Sequence, residues 1–251
     1  MNSFKGQTAL ITGATSAIGR AIAAALAGQS ATLCLIGRKL PALRSLAESF
    51  SERAFCYQAD LALDEDIQNL ARDIRRDFDR VDILVHNAGV ISIGRVENAS
   101  VEDFDVQYRI NVRAPYLFTK SLLPLLKLSH GQIVFINSSL WLNARSGVAQ
   151  YAASKYALKA IADSLREEVN ADGIRILSVF PGRTAGPMQQ AIHATNHESY
   201  YPESLLQPED IAAVLTTALA LPRTAEVTDI SIRPLQKPPE NSLKVEKRVA
   251  N

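Results

Sequence analysis

The sequence predicts an α/β protein built on one doubly wound parallel sheet of about seven strands, with helices on both faces. Short apolar, β-branched runs alternate along the chain with longer segments in which apolar residues recur three and four positions apart. The runs are apolar throughout rather than at every second residue, which is typical of strands that are buried on both faces. Such strands occur in parallel sheets that are covered by helices on each side.

The expected elements follow one another in strict alternation. The strands lie near 8–12, 31–36, 54–58, 82–86, 132–137, 174–180 and 227–232. The helices run from Ile18 to Leu26, Leu40 to Phe50, Asp64 to Phe78, Val101 to Leu126, Val148 to Val169 and Pro208 to Ala220. In a sheet of this kind, the ligand site is expected beyond the carboxyl ends of the strands, where the strand order reverses.

One domain accounts for almost the whole chain. The 251 residues keep an even composition until the last stretch, which suits a single α/β domain over residues 1–232. Residues 233–251 combine Pro234, Pro238 and Pro239 with mixed charges, so we interpret them as a tail outside the core.

The composition excludes several classes of function. Hydrophobic residues make up 47% and charged residues 21%, as in ordinary globular proteins, and the formal net charge is +1. This balance provides no field to attract nucleic acid or an anionic membrane surface. Cys34 and Cys56 lie in apolar runs and are interpreted as free thiols. The N-terminus lacks the apolar length of a signal peptide, so we expect a cytoplasmic protein.

A glycine-containing turn joins the first strand to the first helix. It reads Thr12-Gly13-Ala14-Thr15-Ser16-Ala17-Ile18-Gly19. The backbone amides at a helix N-terminus bind phosphate groups, and glycine lets the backbone approach them closely. A tight turn that needs glycine only for its conformation would look similar.

This turn resembles the Thr-Gly-x-x-x-Gly-x-Gly motif of the short-chain dehydrogenase/reductase family, whose members have the Rossmann fold. The resemblance extends from Thr8 to about Arg233, and Ala17 stands where the family has its middle glycine. It implies that the cofactor pyrophosphate is bound by residues of this turn, namely Gly13, Thr15, Ser16, Ala17, Ile18 and Gly19.

The end of the second strand favours NADP(H) over NAD(H). Enzymes that prefer NAD usually place a carboxylate there for the ribose 2′-hydroxyl. This chain has Arg38 instead, and a guanidinium makes paired, charge-assisted hydrogen bonds to a 2′-phosphate. NADP(H) is therefore the expected cofactor and NAD(H) a possible one. The alternative is that Arg38 is an ordinary solvated residue at the start of a helix.

Further turns at the expected carboxyl edge also resemble family motifs. Asp60-Leu61 is similar to the family's adenine contact, and Asn87-Ala88-Gly89 is similar to its Asn-Ala-Gly turn, preceded here by His86. Pro181-Gly182 resembles the turn over the nicotinamide. The threonine that usually follows it is replaced by Gly186, and Thr184 is a candidate substitute.

Tyr151 and Lys155 are the candidate acid–base pair. They lie four residues apart in an expected helix, so their side chains share one face. The pKa of a free tyrosine is about 10, and a nearby ammonium stabilises the phenolate and lowers this pKa. The resemblance implies two further catalytic residues, Ser138 and Asn111, and a ribose contact from Lys155. A structural asparagine that kinks its helix is the alternative for Asn111.

The expected substrate contacts are Ser138, Leu140, Trp141 and Tyr151, although core packing would explain the two apolar residues equally well. Residues 185–207 are expected to form a lid. His193 and His197 in this segment have the spacing of a metal pair, but no further ligand is evident and we expect no metal.

The resemblance implies a carbonyl reductase-like NADP(H)-dependent oxidoreductase. Such an enzyme would reduce a ketone or aldehyde, or oxidise a secondary alcohol, with Tyr151 as the general acid or base. The alternatives are a catalytically silent NADP(H)-binding module and an epimerase or dehydratase on the same fold. The resemblance also implies a homodimer or homotetramer.

Overall fold

The architecture is a single seven-stranded parallel sheet with helices packed on both faces, as the sequence predicts. It is seen in a computed structural model, which describes residues 3–50, 53–141 and 144–236. The strands are β1 (Thr8–Thr12), β2 (Thr32–Gly37), β3 (Ala54–Gln58), β4 (Ile83–His86), β5 (Gln132–Ile136), β6 (Arg175–Pro181) and β7 (Asp229–Ile232). Their spatial order is β3-β2-β1-β4-β5-β6-β7.

The α-helices of the described ranges are α1 (Ala17–Ala27), α2 (Leu40–Ala47), α3 (Asp64–Asp77), α4 (Val101–Tyr108), α5 (Ala114–Ser129), α6 (Ala149–Val169), α7 (Pro187–Thr195) and α8 (Pro208–Leu219). Helices α3, α5 and α6 bury one face of the sheet, and α1, α2 and α8 bury the other. Each fully buried leucine or phenylalanine in these layers contributes roughly 1.5–3 kcal/mol. The two cores fix the carboxyl edge on which the site is built.

The segment from Val101 to Leu126, expected as one helix, is divided. A π-helical turn over Arg109–Arg113 separates α4 from α5. Such turns insert one extra residue into a helix and are frequent at functional sites. Here the turn carries Asn111, whose side chain makes the hydrogen bonds described below.

The end of α2 and the presence of α7 also differ from the sequence expectation. Helix α2 ends at Ala47 rather than Phe50, and α7 is a helix in a segment for which the sequence pattern predicted only a lid.

The edge strand β3 has one open flank, so Cys56 is only partly buried whereas Cys34 is fully buried. Residues 237–251 of the expected tail lie outside the described part of the chain.

A helix that crosses a bilayer must be both long and apolar. Within the ranges given above, none combines the length and the apolar character that crossing a bilayer requires.

Candidate active site

The candidate site lies at the carboxyl edge of the sheet, where the strand order reverses between β1 and β4. The two strands are neighbours in space, but successive strands along the chain proceed from them in opposite directions. This reversal opens a crevice above the strand ends, which is where ligands bind in sheets of this kind.

The glycine loop after β1 is held by its neighbours. The Ser16 side chain caps α1 by accepting a hydrogen bond from Gly19 N at 3.1 Å. Asn87 Nδ2 donates to Thr12 O, Gly13 O and Ser16 Oγ, each at 3.0 Å. A side chain at Gly13, where φ is +63°, would come within 2.9 Å of Ala88 Cα. The loop therefore needs glycine for both its conformation and its packing.

The start of α1 fits a pyrophosphate. Its first turn contains no acidic residue, so the positive end of the helix dipole is not neutralised there. With Ser16 bound to Gly19 N, helix geometry leaves the amides of Ala17 and Ile18 without an acceptor in the helix. On the other side of the loop, Arg20 Nε donates to Thr15 O at 3.0 Å. These free amides meet the requirements of an anion site.

Thr12 is a structural member of the site that the sequence analysis did not single out. Its hydroxyl accepts from Asn87 N at 3.0 Å and Ala88 N at 3.1 Å, and donates to Val85 O at 3.3 Å. It thus fastens the Asn-Ala-Gly turn to the end of β1. The signal that could have identified it is the polar residue at the end of an otherwise apolar strand.

Arg38 and Asp60 follow β2 and β3 at the carboxyl edge of the sheet. Arg38 is exposed directly after β2, and it lines, with Asp60, a cavity of about 840 Å³ along the edge strand β3. Asp60 Oδ1 accepts from Ala62 N at 3.0 Å, and Asp60 N donates to Asp66 Oδ2 at 2.8 Å. Leu61 is buried beneath this turn. A guanidinium in this position is free to meet a phosphate.

Asn111 connects the Asn-Ala-Gly turn to α6. Its Oδ1 accepts from Val90 N at 2.9 Å, and its Nδ2 donates to Val90 O at 2.9 Å and to Ser154 Oγ at 3.0 Å. Ser154 in turn donates to Tyr151 O at 2.7 Å. A side chain at Gly89 would lie 3.3 Å from Asn111 Oδ1 and 3.8 Å from Lys155 Nζ. The π-helical turn therefore alters the helix at Asn111, which is the structural alternative for this residue, and a catalytic role for Asn111 stays a prediction.

Tyr151, Lys155 and Ser138 come together at the ends of β5 and α6. All three side chains are buried. Lys155 Nζ lies 5.6 Å from the centroid of the Tyr151 ring and donates to Ile136 O at 3.1 Å. Ser138 hydrogen-bonds to Tyr151, and its hydroxyl also accepts from Leu140 N at 3.2 Å.

The protonation of this cluster differs from the sequence expectation. Burial raises the pKa of Tyr151 to about 12, and the hydrogen bond with Ser138 opposes this rise. Burial also lowers the pKa of Lys155 to about 8. The expected lowering of the Tyr151 pKa by Lys155 is therefore not found, because desolvation of the phenolate outweighs the hydrogen bond with Ser138.

Asn137 is a second residue that the sequence analysis missed. Its Oδ1 accepts from Ser138 N at 2.9 Å, and its Nδ2 donates to Lys155 O at 3.1 Å. It is buried at the end of β5, between the serine and the helix that carries Lys155. Asn137 thus fixes Ser138 relative to α6.

His86 occupies the position before the Asn-Ala-Gly turn as a neutral, packed side chain. Burial lowers its pKa to about 3. Its Nε2 is 2.7 Å from Thr119 Oγ1, and its ring stacks on Phe135 with centroids 5.1 Å apart. The departure from the family pattern is therefore accommodated inside the core.

The turn after β6 is anchored to the last strand. Gly182 N donates to Ile232 O at 2.7 Å, directly after Pro181. Thr184 Oγ1 donates to Gly182 O at 3.0 Å, so its hydroxyl hydrogen is used inside the turn while its lone pairs can still accept.

Leu140 and Trp141 follow Ser138 in a short 3₁₀ turn. The Trp141 ring packs against Phe180 with centroids 5.0 Å apart, and Lys159 Nζ lies 5.5 Å from it. These contacts attach the turn to β6 and α6. They agree with the alternative in which Trp141 serves core packing. Its assignment as a substrate contact stays a prediction.

Backbone hydrogen bonds join the two ends of the lid segment, residues 185–207. Ala185 N donates to Leu206 O at 2.8 Å, and Leu206 N donates to Arg183 O at 3.0 Å. Within it, His193 is buried, with its Nδ1 2.8 Å from Gln189 O, whereas His197 is exposed. Among the described residues, no group of three or more His, Cys, Asp or Glu side chains could hold a metal ion.

Comparisons with known proteins agree with this geometry. Residues 7–197 match the family model described as short chain dehydrogenase. An uncharacterised oxidoreductase of Staphylococcus epidermidis is 30% identical over 236 residues, which span 94% of this chain and 100% of the relative.

Two solved structures have similar folds. An alcohol dehydrogenase from the archaeon Thermococcus sibiricus, complexed with 5-hydroxy-NADP, has a TM-score of 0.82 and 26% identity over 93% of this chain and 99% of that protein. A metagenomic short-chain oxidoreductase in complex with NADP has a TM-score of 0.81 and 27% identity over 93% of this chain and 100% of that protein.

Proposed function

The chain belongs to the short-chain dehydrogenase family, and from that membership we propose an NADP(H)-dependent oxidoreductase that interconverts a carbonyl compound and its alcohol. The observation that carries the proposal is the buried cluster of Ser138, Tyr151 and Lys155 beside the anion-binding start of α1. An acid–base group and a phosphate site on one sheet edge suit a reaction between a dinucleotide and a small polar molecule.

NADP(H) is the proposed cofactor, with NAD(H) as a weaker alternative. Arg38 is the basic residue that supports this preference, since it is exposed where the ribose 2′-phosphate would lie in the family. Two of the similar solved structures contain NADP or a derivative of it. When bound, the nicotinamide ring supplies or accepts the hydride.

Tyr151 is proposed to exchange the proton. In reduction, its hydroxyl donates a proton to the carbonyl oxygen of the substrate, and in oxidation its phenolate accepts one. Ser138, which hydrogen-bonds to Tyr151, is proposed to donate to the same substrate oxygen and to stabilise the charge that develops there.

Lys155 and Asn111 are proposed to support this transfer. Lys155 as an ammonium favours the phenolate form of Tyr151 and donates to the ribose hydroxyls, as in the family. Asn111 lies against Gly89 on the side of Lys155 and is proposed to hold a water for proton relay. Asn137 acts on the reaction only by positioning Ser138.

The substrate is proposed to be a small, moderately apolar ketone or aldehyde, or the corresponding alcohol, held by Ser138, Leu140, Trp141 and Tyr151. A cytoplasmic homodimer or homotetramer is proposed by analogy with the family, and a nucleic acid or membrane partner is not.

The test is to follow NADPH absorbance with a panel of ketones and aldehydes, beside NADPH binding measured by fluorescence. Consumption of NADPH that depends on the carbonyl supports an oxidoreductase. Binding without consumption across the panel would instead indicate a silent NADP(H)-binding module. Consumption with NADH in preference to NADPH would refute the cofactor assignment alone.

A further inference from the structure

Two departures from the family pattern lie in contact with each other. Ala17 stands at the middle glycine position of the glycine loop, and Gly186 stands where the family has a threonine. A Cβ atom built on Gly186 would lie 2.9 Å from Ala17 Cβ. Carbon atoms pack at about 3.5–4.0 Å, so the Ala17 methyl occupies the space that a side chain at position 186 would need.

The glycine loop cannot give way at this contact. Ala17 is the first residue of α1, and the preceding residue, Ser16, is bonded to both Gly19 N and Asn87 Nδ2. A methyl group has no rotamer that would carry it elsewhere. Relief of a clash would therefore have to come from the lid.

The lid is also fixed where it meets the loop. Gly186 N donates to the hydroxyl of Tyr200 at 2.9 Å, and Pro187 begins α7 directly after it. The Tyr200 ring contacts His193 of α7 with centroids 5.5 Å apart. Together with the backbone hydrogen bonds that join the two ends of the lid, these contacts hold Gly186 over Ala17.

The backbone of Gly186 adds a second, separable reason for glycine. Its φ of +149° and ψ of 175° lie in a region that residues with a side chain avoid. A substitution at position 186 therefore has a backbone cost that Ala17 does not influence and a steric cost that depends on Ala17. Only the steric cost disappears when residue 17 is glycine.

We propose that Ala17 and Gly186 form a size-matched pair that seats the lid on the glycine loop and thereby sets the affinity for the cofactor. In this pair, the Ala17 methyl group on the glycine loop fills the space that a side chain at position 186 of the lid would otherwise fill. The proposal deepens the proposed function, because it concerns the NADP(H) site of the same enzyme.

The experiment is a double-mutant cycle of Ala17→Gly, Gly186→Ala and the double variant, measured by the Kd of NADPH and by amide hydrogen exchange of α7 without cofactor. Gly186→Ala is expected to raise the Kd by about tenfold or more and to accelerate exchange in α7. Adding Ala17→Gly should recover at least half of each effect on a logarithmic scale. Additive effects would overturn the proposal.

Gly6→Ala is the matched control. Gly6 has a φ of +77°, and a side chain there would meet no atom within 4 Å, so the change has a backbone cost and no steric one. Adding Ala17→Gly to Gly6→Ala should reverse none of its effect on the Kd of NADPH or on exchange in α7. A reversal as large as the one at position 186 would contradict the proposed pairing of Ala17 with Gly186.

If Gly186→Ala does not fold, Ala17→Val tests the contact from the loop side. It should accelerate exchange in α7 without cofactor, and unchanged exchange would overturn the proposal. The exchange readout needs neither turnover nor NADPH. A parent protein that consumes no NADPH would therefore refute the proposed function while the pair is still tested.

Discussion

Lys155 Nζ lies 5.6 Å from the centroid of the Tyr151 ring, one helical turn away on α6, and its hydrogen bond to Ile136 O holds it at the end of β5. Both side chains are buried, so any charge on either is poorly solvated. Burial accordingly raises the pKa of Tyr151 and lowers that of Lys155.

Removal of the Tyr151 hydroxyl is the direct test of its role. Tyr151→Phe should lower kcat by about a hundredfold or more, because it removes the group that is proposed to donate the proton. The Kd of NADPH should be nearly unchanged. Tyr156→Phe is the matched control, since Tyr156 lies on the same helix with 45% of its surface exposed. Equal activity of the Tyr151 variant and the parent would refute the assignment.

Reversal of the charge at position 38 tests the cofactor preference. Arg38→Asp should raise the Kd of NADPH by about 10- to 100-fold, because a charge-assisted pair with the 2′-phosphate becomes a repulsion. The Kd of NADH should stay the same or fall. Arg72→Asp on α3 makes the same change of net charge at another exposed position and should leave both constants unchanged. A parallel loss of both cofactors would show that Arg38 does not discriminate between them.

The buried lysine should reduce the stability of the protein at neutral pH. The pKa of Lys155 falls from 10.5 to about 8 on folding, so between these values the unfolded chain binds more protons and stability rises with pH. Lys155→Met should therefore raise Tm at pH 7 by about 2–4 °C while abolishing turnover. The difference from the parent should narrow as the pH rises from 7 to 10.

Lys120→Met is the control for this prediction, because Lys120 is exposed on α5. Its Tm difference from the parent should be small and should not change over the same pH range. A lower Tm for Lys155→Met at pH 7 would contradict the account.

His86 should make the protein sensitive to acid. The pKa of His86 falls from 6.5 to about 3 on folding, so below pH 6.5 the unfolded chain gains a proton that the folded protein excludes. The free energy of unfolding therefore falls as the pH is lowered. His86→Gln keeps a partner for Thr119 and should lose less Tm between pH 7 and pH 5 than the parent does. His197→Asn, at an exposed position with φ +55°, should lose as much as the parent. Equal losses in all three proteins would rule out His86 as a source of the acid sensitivity.

The sequence predicts the strands well because their apolar runs are short and bounded by turn residues. It misses α7, since the Gly186-Pro187 start looks like a loop in a polar segment and the helix depends on contacts such as that of Tyr200 with Gly186. It also predicts one helix from Val101 to Leu126, with a kink at Asn111 only as an alternative, because a π-helical turn leaves no distinct pattern of residue types.

The candidate site is predictable where motifs follow strand ends and unpredictable where roles depend on packing. Tyr151 and Lys155 are recognisable by their spacing, whereas the contribution of Asn137 depends on hydrogen bonds to two separate elements. The rise of the Tyr151 pKa likewise reflects the depth of burial, which spacing does not encode. The contact of Ala17 with Gly186 joins distant parts of the chain and becomes visible only in three dimensions.

The π-helical turn at Arg109–Arg113 constrains the length of the polypeptide at that place. Each α-helical residue advances the side-chain direction by about 100°. Because the turn accommodates one extra residue, deleting one would let α4 and α5 join as a continuous helix in nearly the same relative orientation, whereas inserting one would rotate one of them about its axis by that angle relative to the other. Phe118 and Leu122 could then stay in the core only if Gln107 left its buried position. A single-residue insertion here should consequently be far less acceptable than a single-residue deletion.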